Sequence, residues 1–193
     1  MPERRLVVGL GNPGRQYEDH RHNVGFMVVS ELARQKGVSF GRMRANALVC
    51  DYVLNGLTVT LAKPQTFMNN SGQSVGALVN FYKLPLEHLL VVYDDVDLPV
   101  GTLRMKAEGG HGGQNGMRSI IQHLGASNFA RLRIGIGRPA GGGKVGPDYV
   151  LKPFSREQAP IMEHVLPLAV EAVTCFLTDG IESAMNLYNR TVD

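Results

Sequence analysis

Strand-like and helix-like segments alternate along this chain, and no other feature restricts its fold as much. Residues 5–10 form a short apolar run, and the turn sequence Gly-Asn-Pro-Gly follows directly. Residues 23–37 then repeat apolar side chains at nearly the helical period and end in a glycine. Residues 89–96 begin with five consecutive apolar side chains, which is typical of a strand buried on both faces. This alternation favours an α/β fold.

A tight hairpin interrupts the alternation. The dipeptide Asn55-Gly56 separates two β-rich segments, which should therefore pair antiparallel. The remaining segments predict strands at 102–107 and 131–137 and helices at 71–83, 117–124 and from 155 onward, with Ser71 capping the first of these helices. Because 193 residues suit one domain, we predict that residues 1–193 form a single α/β domain. Its central β-sheet should be mixed, mostly parallel and flanked by helices.

Composition and chain start argue against a membrane or secreted protein. The longest strongly apolar runs are far shorter than the roughly 20 residues that span a bilayer. The first residues lead into a strand pattern rather than a signal peptide, so we expect a soluble, cytoplasmic protein. Cys50 and Cys175 lie in apolar surroundings with no Cys-x-x-Cys spacing. We expect both to be buried core residues rather than metal ligands.

The charge is unevenly distributed. Lysines and arginines number 20 and acidic residues 17, so the net charge is only +3. Between Pro99 and Pro147, however, seven basic residues face one acid, Glu108, which leaves a net charge of −3 for the rest of the chain. A basic, glycine-rich segment suits a surface that meets phosphates, although chance clustering on a solvated face is the alternative.

The sequence Gly9-Leu10-Gly11-Asn12-Pro13-Gly14 matches the dinucleotide-binding pattern G-x-G-x-x-G. In a dinucleotide-binding fold the helix begins within that pattern, whereas here the helical period starts only near Val24. The acid expected about 20 residues later is also missing, since Glu31 falls inside the predicted helix. We therefore reject a nucleotide-dependent oxidoreductase and expect no cofactor.

His22 stands in a polar loop just before a helix, and three carboxylates, Asp94, Asp95 and Asp97, cluster at the end of the predicted central strand. A lone histidine in such a loop is usually solvated or caps the helix. A nearby carboxylate could instead orient it to take a proton from water. The chain has no G-x-S-x-G nucleophile elbow and no zinc-binding motif, and the acids alone argue only weakly for magnesium. We expect no bound metal.

Three asparagines, Asn12, Asn69 and Asn115, stand in glycine-containing turns. Each alone is explained by turn structure. Together they could surround a polar substrate with neutral hydrogen-bonding groups, and an amide donor could stabilise an oxyanion.

The chain resembles the bacterial-type peptidyl-tRNA hydrolase family over essentially its whole length. Six ordered blocks carry the resemblance: GLGNPG (9–14), RHNVG (21–25), KPQTFMNNSG (63–72), YDDVDLP (93–99), GGHGGQNG (109–116) and RLRIGIGRP (131–139). The resemblance implies a single-domain α/β fold. It also implies hydrolysis of the ester that joins a peptide to the 3′ end of tRNA, without a cofactor.

The resemblance also assigns roles at matching positions. It makes His22 the catalytic histidine and Asp94 the carboxylate that orients it. The positions that match substrate-binding residues are Asn12, Tyr17, Met68, Asn69 and Asn115. Asn12 matches an asparagine near the scissile ester, and Asn115 one that also helps to place water.

The basic segment contains the positions that match tRNA contacts. Arg133 and Lys106 match a pair that clamps the 5′ phosphate, and Arg104 is a further candidate for the phosphate path. The implied partner is therefore peptidyl-tRNA, through its acceptor stem, 5′ phosphate and 3′ end, bound by a monomer.

Two positions carry residues that differ from some family members. Gln114 stands where others have histidine, so an acid–base role there is in doubt because glutamine does not titrate. Tyr93 also replaces a histidine, and we expect it to pack rather than react. The family includes plant chloroplast proteins that act in intron splicing, so a non-catalytic RNA-binding protein is the alternative function.

Overall fold

The computed structural model describes residues 3–192. Its strands are β1 (Arg4–Gly9), β2 (Arg42–Arg44), β3 (Ala47–Leu54), β4 (Leu57–Pro64), β5 (Leu89–Asp95), β6 (Thr102–Lys106), β7 (Ala130–Gly135) and β8 (Arg190–Thr191). Its helices are α1 (Val24–Lys36), α2 (Ser71–Tyr82), α3 (Asn115–Leu124), α4 (Pro147–Val150), α5 (Ala159–Asp179) and α6 (Ile181–Tyr188). The predicted α/β class is confirmed.

All eight strands form one mixed sheet in the order β2-β3-β4-β1-β5-β7-β6-β8. The central pairings β4–β1, β1–β5 and β5–β7 are parallel. The four outer pairings are antiparallel, so the parallel character predicted for the sheet holds at its centre. The edge strands β2 and β8 were not predicted because three and two residues are too few to show a period.

The Asn55-Gly56 turn forms as predicted. Both residues have positive φ, 49° and 81°, which matches the twist of the flanking strands. Leu54 pairs with Leu57 directly across the turn, and β3 and β4 stay in register from there to Ala47 and Pro64.

Helices cover both faces of the sheet. Along β5, Leu90 and Val92 pack into the layer that includes α1, α5 and α6. Leu89, Val91 and Tyr93 pack into the opposite layer with α2 and α3. This alternation buries all of β5 and leaves its carboxyl end as the place where polar side chains can meet a ligand.

The longest helix, α5, is long and apolar enough by composition to cross a membrane. Half of its apolar stretch is buried within the domain, where it packs against α1. Core helices pass the same test, so the feature is weak support for a membrane span. Cys175 of α5 and Cys50 of β3 are both buried, as predicted, and neither forms a disulfide within residues 3–192.

Three helix starts differ from the sequence predictions. Helix α5 begins at Ala159 rather than at 155, because Ser155 and Gln158 bond to each other in a turn that precedes the helix. Ser71 does not cap α2: it is the first helical residue, and its hydroxyl donates to the Met68 carbonyl at 2.7 Å. The reason is that a tight turn at Met68–Asn70 continues straight into the helix. Helix α3 begins two residues early because the Gln114 side chain accepts a hydrogen bond from the Met117 amide.

Glycine allows α1 to start very close to the sheet. A Cβ on Gly25 would lie 2.3 Å from the Val92 carbonyl oxygen and 2.5 Å from the Leu10 nitrogen. A Cβ on Gly9 would lie 2.2 Å from the Gly25 oxygen. The first turn of α1 therefore rests on the carboxyl ends of β1 and β5. The residues just before α1 face the residues at the carboxyl end of β5.

Candidate functional site

A cavity of about 460 Å³ opens at the carboxyl ends of β1 and β5. Its lining combines the turn after β1, the turn before α1, the end of β5 and the loops before α2, α3 and α4. The polar side chains of this lining are those of Asn12, His22, Asn69, Asn70, Asp94, Asp95, His111, Gln114 and Asn115. The structure thus brings together most of the polar residues singled out in the sequence.

His22 and Asp94 form a hydrogen-bonded pair in this cavity. The distance between His22 Nδ1 and Asp94 Oδ2 is 2.8 Å, and the two side chains are only 13% and 2% exposed. Burial lowers the pKa of His22, but the charge of Asp94 and the hydrogen bond outweigh it, so that pKa lies above its ordinary value of 6.5. Among the described residues, His22 Nε2 has no hydrogen-bond partner, which leaves it available to a ligand.

The second oxygen of Asp94 is also occupied. Gln114 Nε2 donates to Asp94 Oδ1 at 3.0 Å, and Gln114 Oε1 accepts from the Met117 amide at 2.8 Å. Gln114 is one of the two positions at which the sequence differs from some family members. The hydrogen bond between Gln114 and Asp94 could not be predicted from local sequence, because the two residues are 20 positions apart.

Asn12 is held so that one part of its side chain faces the cavity. Its Oδ1 accepts from the Met68 amide at 2.7 Å. Its backbone amide and carbonyl bind the side chain of Asn23, each at 2.9 Å. Within residues 3–192, Asn12 Nδ2 makes no hydrogen bond, so this N–H donor is available to a ligand.

The other predicted substrate-binding residues differ in position. Met68 is buried, and its Sδ lies 3.3 Å from Gln114 Nε2. Asn69 and Asn115 are exposed side chains of the lining, and Asn115 Oδ1 accepts from Arg118. Tyr17 is not part of the lining: its ring stands edge-on to Phe67, with 6.4 Å between centroids.

The three basic side chains predicted to bind tRNA, those of Arg104, Lys106 and Arg133, stand on one face of the sheet, outside the cavity. Arg104 pairs in register with Arg133, and Lys106 with Arg131. Arg133 binds Asp95 at 3.2 Å. Burial raises the pKa of Asp95, although the charge of Arg133 opposes that rise.

Arg131 belongs to the fold rather than to this basic surface. It is 1% exposed and donates to the carbonyls of Gly110, Ser127 and Phe129. One of the seven basic residues counted in the segment is therefore unavailable to a phosphate.

Two further residues shape the site and were not singled out in the sequence. Arg21 is buried, stacks on the Tyr149 ring at 4.0 Å and donates to the Tyr149 carbonyl, which ties α4 to the wall of the cavity. Phe67 has φ 63° and ψ 156°, a backbone region used almost only by glycine, and its ring lines the cavity. A buried arginine directly before His22 has no distinguishing local pattern.

Residues 3–192 contain no group of three histidine, cysteine or acidic side chains placed to hold a metal ion. The acidic side chains at the end of β5 and just after it have other partners, since Asp95 binds Arg133 and Asp97 binds Arg138.

Comparisons with known proteins agree on one family. The family model described as peptidyl-tRNA hydrolase matches residues 6–193. The chain is 50% identical to peptidyl-tRNA hydrolase of Carboxydothermus hydrogenoformans, over 96% of this chain and 98% of that protein. It is 48% identical to that of Syntrophomonas wolfei, over 96% and 100% of the two chains. The crystal structure of the Acinetobacter baumannii peptidyl-tRNA hydrolase matches with a TM-score of 0.90 and 36% identity, over 99% of this chain and 97% of that one.

Proposed function

The chain belongs to the peptidyl-tRNA hydrolase family and is an enzyme of that family, and from this premise we propose how its own residues cleave the substrate. The scissile bond is the ester between the peptide and the 3′ end of tRNA. His22 takes a proton from a water molecule, and that water attacks the ester carbonyl. The observation that carries this role is the 2.8 Å bond between His22 Nδ1 and Asp94, which leaves Nε2 facing the cavity.

Asp94 keeps the proton of neutral His22 on Nδ1. Nε2 is then the basic nitrogen, and the imidazolium that forms during proton transfer is stabilised by the adjacent carboxylate. Asn12 Nδ2 is the donor best placed to bind the oxyanion. The Met68 amide donates to Oδ1 of the same side chain, and this bond fixes the direction of Nδ2. Both groups are oriented before the substrate arrives.

The acids of the cavity explain a preference for blocked substrates. Asp94 is occupied by His22 and Gln114, and Asp95 by Arg133 and the Asp97 amide. A free aminoacyl-tRNA would bring a charged α-ammonium group into a cavity without a carboxylate left to pair with it. An N-blocked amino acid or a peptide carries no such charge at that position. Met68, Asn69 and Asn115 are the residues beside which this part of the substrate lies.

The tRNA lies across the β6–β7 face. Lys106, Arg133 and Arg104 contact its phosphates there, with Lys106 and Arg133 at the 5′ phosphate. Two observations support this placement of the tRNA. The three side chains share one face of the sheet, and β7 pairs with β5, the strand that carries Asp94. Residues 1–193 act as one domain and as a monomer, in the cytoplasm where peptidyl-tRNA arises.

The test compares an N-acetyl-aminoacyl-tRNA with the same tRNA carrying an unblocked amino acid, beside a control without enzyme. We expect rapid cleavage of the blocked ester alone. His22→Ala should lose about 10²- to 10⁴-fold in kcat, the usual contribution of a general base, while tRNA binding persists. His88→Ala is the matched control, since it removes a histidine that pairs with a carboxylate, Glu3, outside the cavity.

Two outcomes would contradict the proposal. Binding of tRNA without cleavage by the unmodified chain would favour the non-catalytic RNA-binding function instead. Full turnover by His22→Ala would remove His22 from the mechanism.

A further inference from the structure

Resting on the proposed function, we propose that Gln114 is a positioning residue that acts through Asp94. Its side chain connects the start of α3 to the carboxylate that orients His22. Gln114 itself lies one step away from the reacting atoms, so it is not a catalytic residue.

The hydrogen bonds allow only one orientation of the Gln114 amide. Oε1 accepts from the Met117 amide at 2.8 Å, and Nε2 donates to Asp94 Oδ1 at 3.0 Å. If the amide were reversed, its NH₂ group would face the Met117 N–H and its oxygen would face a carboxylate oxygen. Both contacts would then be repulsive. The helix cap therefore fixes which end of Gln114 meets Asp94.

Asp94 is consequently held at both oxygens by donors from two separate segments. His22 holds Oδ2 from the turn before α1, and Gln114 holds Oδ1 from the loop before α3. The other charged group beside it is Asp95, which Arg133 pairs. Rotation of the carboxylate would break both bonds, so the His22 ring has a fixed acceptor.

A neutral donor at this position has an electrostatic advantage. A positively charged imidazolium or ammonium group at position 114 would offset the negative charge of Asp94. The pKa of His22 would then fall, and His22 would be a weaker base. An amide supplies the hydrogen bond without a positive charge. Glutamine can thus do at position 114 what a titrating side chain would do only in its neutral form.

Gln114→Glu tests the donor separately from the helix cap, because it keeps an oxygen for the Met117 amide and replaces only the donor. Two carboxylates in contact share one proton. At low pH that proton restores the missing hydrogen bond. As pH rises the proton is lost, and repulsion then displaces Asp94. We expect kcat of this variant to fall by about tenfold or more at high pH, where the unmodified enzyme has reached its plateau.

Gln114→Met is the comparison variant, of similar length but with neither cap nor donor. We expect a lower kcat at every pH without the new alkaline decline. The nitrogen chemical shifts of His22 report which ring nitrogen carries the proton, and the loss of these signals in His22→Gln identifies them. In both variants we expect the neutral ring to carry its proton on Nδ1 less often than in the unmodified enzyme. Melting temperatures measure the contribution of the cap in each.

The outcomes separate the two proposals. If both variants keep the turnover and pH profile of the unmodified enzyme, Gln114 only caps α3 and the inference is wrong. If Gln114→Met does not fold, the pH profile of Gln114→Glu decides alone, because that variant keeps the cap. If the unmodified chain does not cleave N-acetyl-aminoacyl-tRNA, the proposed function fails before Gln114 is tested.

Discussion

Asn23 clamps the backbone of Asn12 with both ends of its side-chain amide. Asn23 Oδ1 accepts from the Asn12 amide and Asn23 Nδ2 donates to the Asn12 carbonyl, each at 2.9 Å. Asn23 is 1% exposed, so water cannot replace these bonds. Because Asn23 directly follows His22, the clamp also ties the turn that carries the proposed general base to the turn that carries the proposed oxyanion donor.

Asn23→Ala should therefore impair both stability and turnover. It leaves two buried backbone groups without partners, at about 1–3 kcal/mol for each, so we expect a loss of about 2–6 kcal/mol in the free energy of unfolding. Displacement of Asn12 should lower kcat by about tenfold or more. Denaturant unfolding and the cleavage of N-acetyl-aminoacyl-tRNA measure the two effects.

Asn189 provides a matched control for this prediction. It clamps the backbone of Met105 in the same way, with distances of 2.6 and 3.1 Å, but outside the cavity. Asn189→Ala should destabilise the protein and leave kcat unchanged. Equal losses of kcat in both variants would mean that activity follows stability and that the Asn23 clamp has no special role.

The parts of this fold that sequence could predict are those with a local cause. Periodicity identifies the central strands and α1, and the Asn55-Gly56 dipeptide identifies the hairpin, because each pattern lies within the element that it forms. The histidine and the acids were likewise visible as residue types at strand and helix ends. Ser71 was misassigned as a cap because the preceding turn, which makes it helical, has no clear pattern.

Contacts between distant segments could not be predicted in this way. The bond between Gln114 and Asp94 and the tie from Arg21 to Tyr149 depend on which loops meet at the carboxyl edge of the sheet. A buried arginine and a capping glutamine have the same sequence appearance as exposed ones. The tertiary structure alone distinguishes them.

The pH dependence of turnover should follow the raised pKa of His22. A general base works when unprotonated, so kcat should rise with pH through a midpoint above 6.5 and then level off. Asp94→Asn removes the negative charge that raises this pKa and leaves burial, which lowers it. We expect the midpoint of that variant to move to lower pH while the plateau falls. A midpoint unchanged by Asp94→Asn would show that another group titrates.

Binding of tRNA should depend on salt through the basic face of the sheet. Lys106 is exposed and has no carboxylate within ion-pair distance among residues 3–192, so Lys106→Ala should weaken tRNA binding and lower the slope of log affinity against log salt by roughly one unit. Arg133→Ala should do the same and also reduce stability, because it leaves the buried Asp95 unpaired. Binding titrations at several salt concentrations measure the slope.

Arg34→Ala is the control for that titration. It removes an exposed arginine of α1, which packs on the opposite face of the sheet from Lys106, so the salt slope should not change. A short substrate without the acceptor stem should be cleaved equally well by Lys106→Ala and the unmodified enzyme. Equal losses on short and full-length substrates would assign Lys106 a structural role.

The close approach of α1 to the sheet should make Gly25 intolerant of any side chain. A Cβ there would lie 2.3 Å from the Val92 oxygen and 2.5 Å from the Leu10 nitrogen, and neither backbone group can move without breaking the sheet. Gly25→Ala should therefore lower the free energy of unfolding by about 3 kcal/mol or more and shift the start of α1 away from β5, which separates His22 from Asp94.

Gly76 of α2 offers the opposite case, because a Cβ there would meet only the His123 Cβ at an ordinary 3.5 Å. Gly76→Ala should stabilise the protein by about 0.5–1 kcal/mol and leave kcat unchanged. Unfolding free energies and kcat measured for both variants check the pair, and a Gly25→Ala enzyme with normal turnover would show that α1 can retreat without disturbing His22.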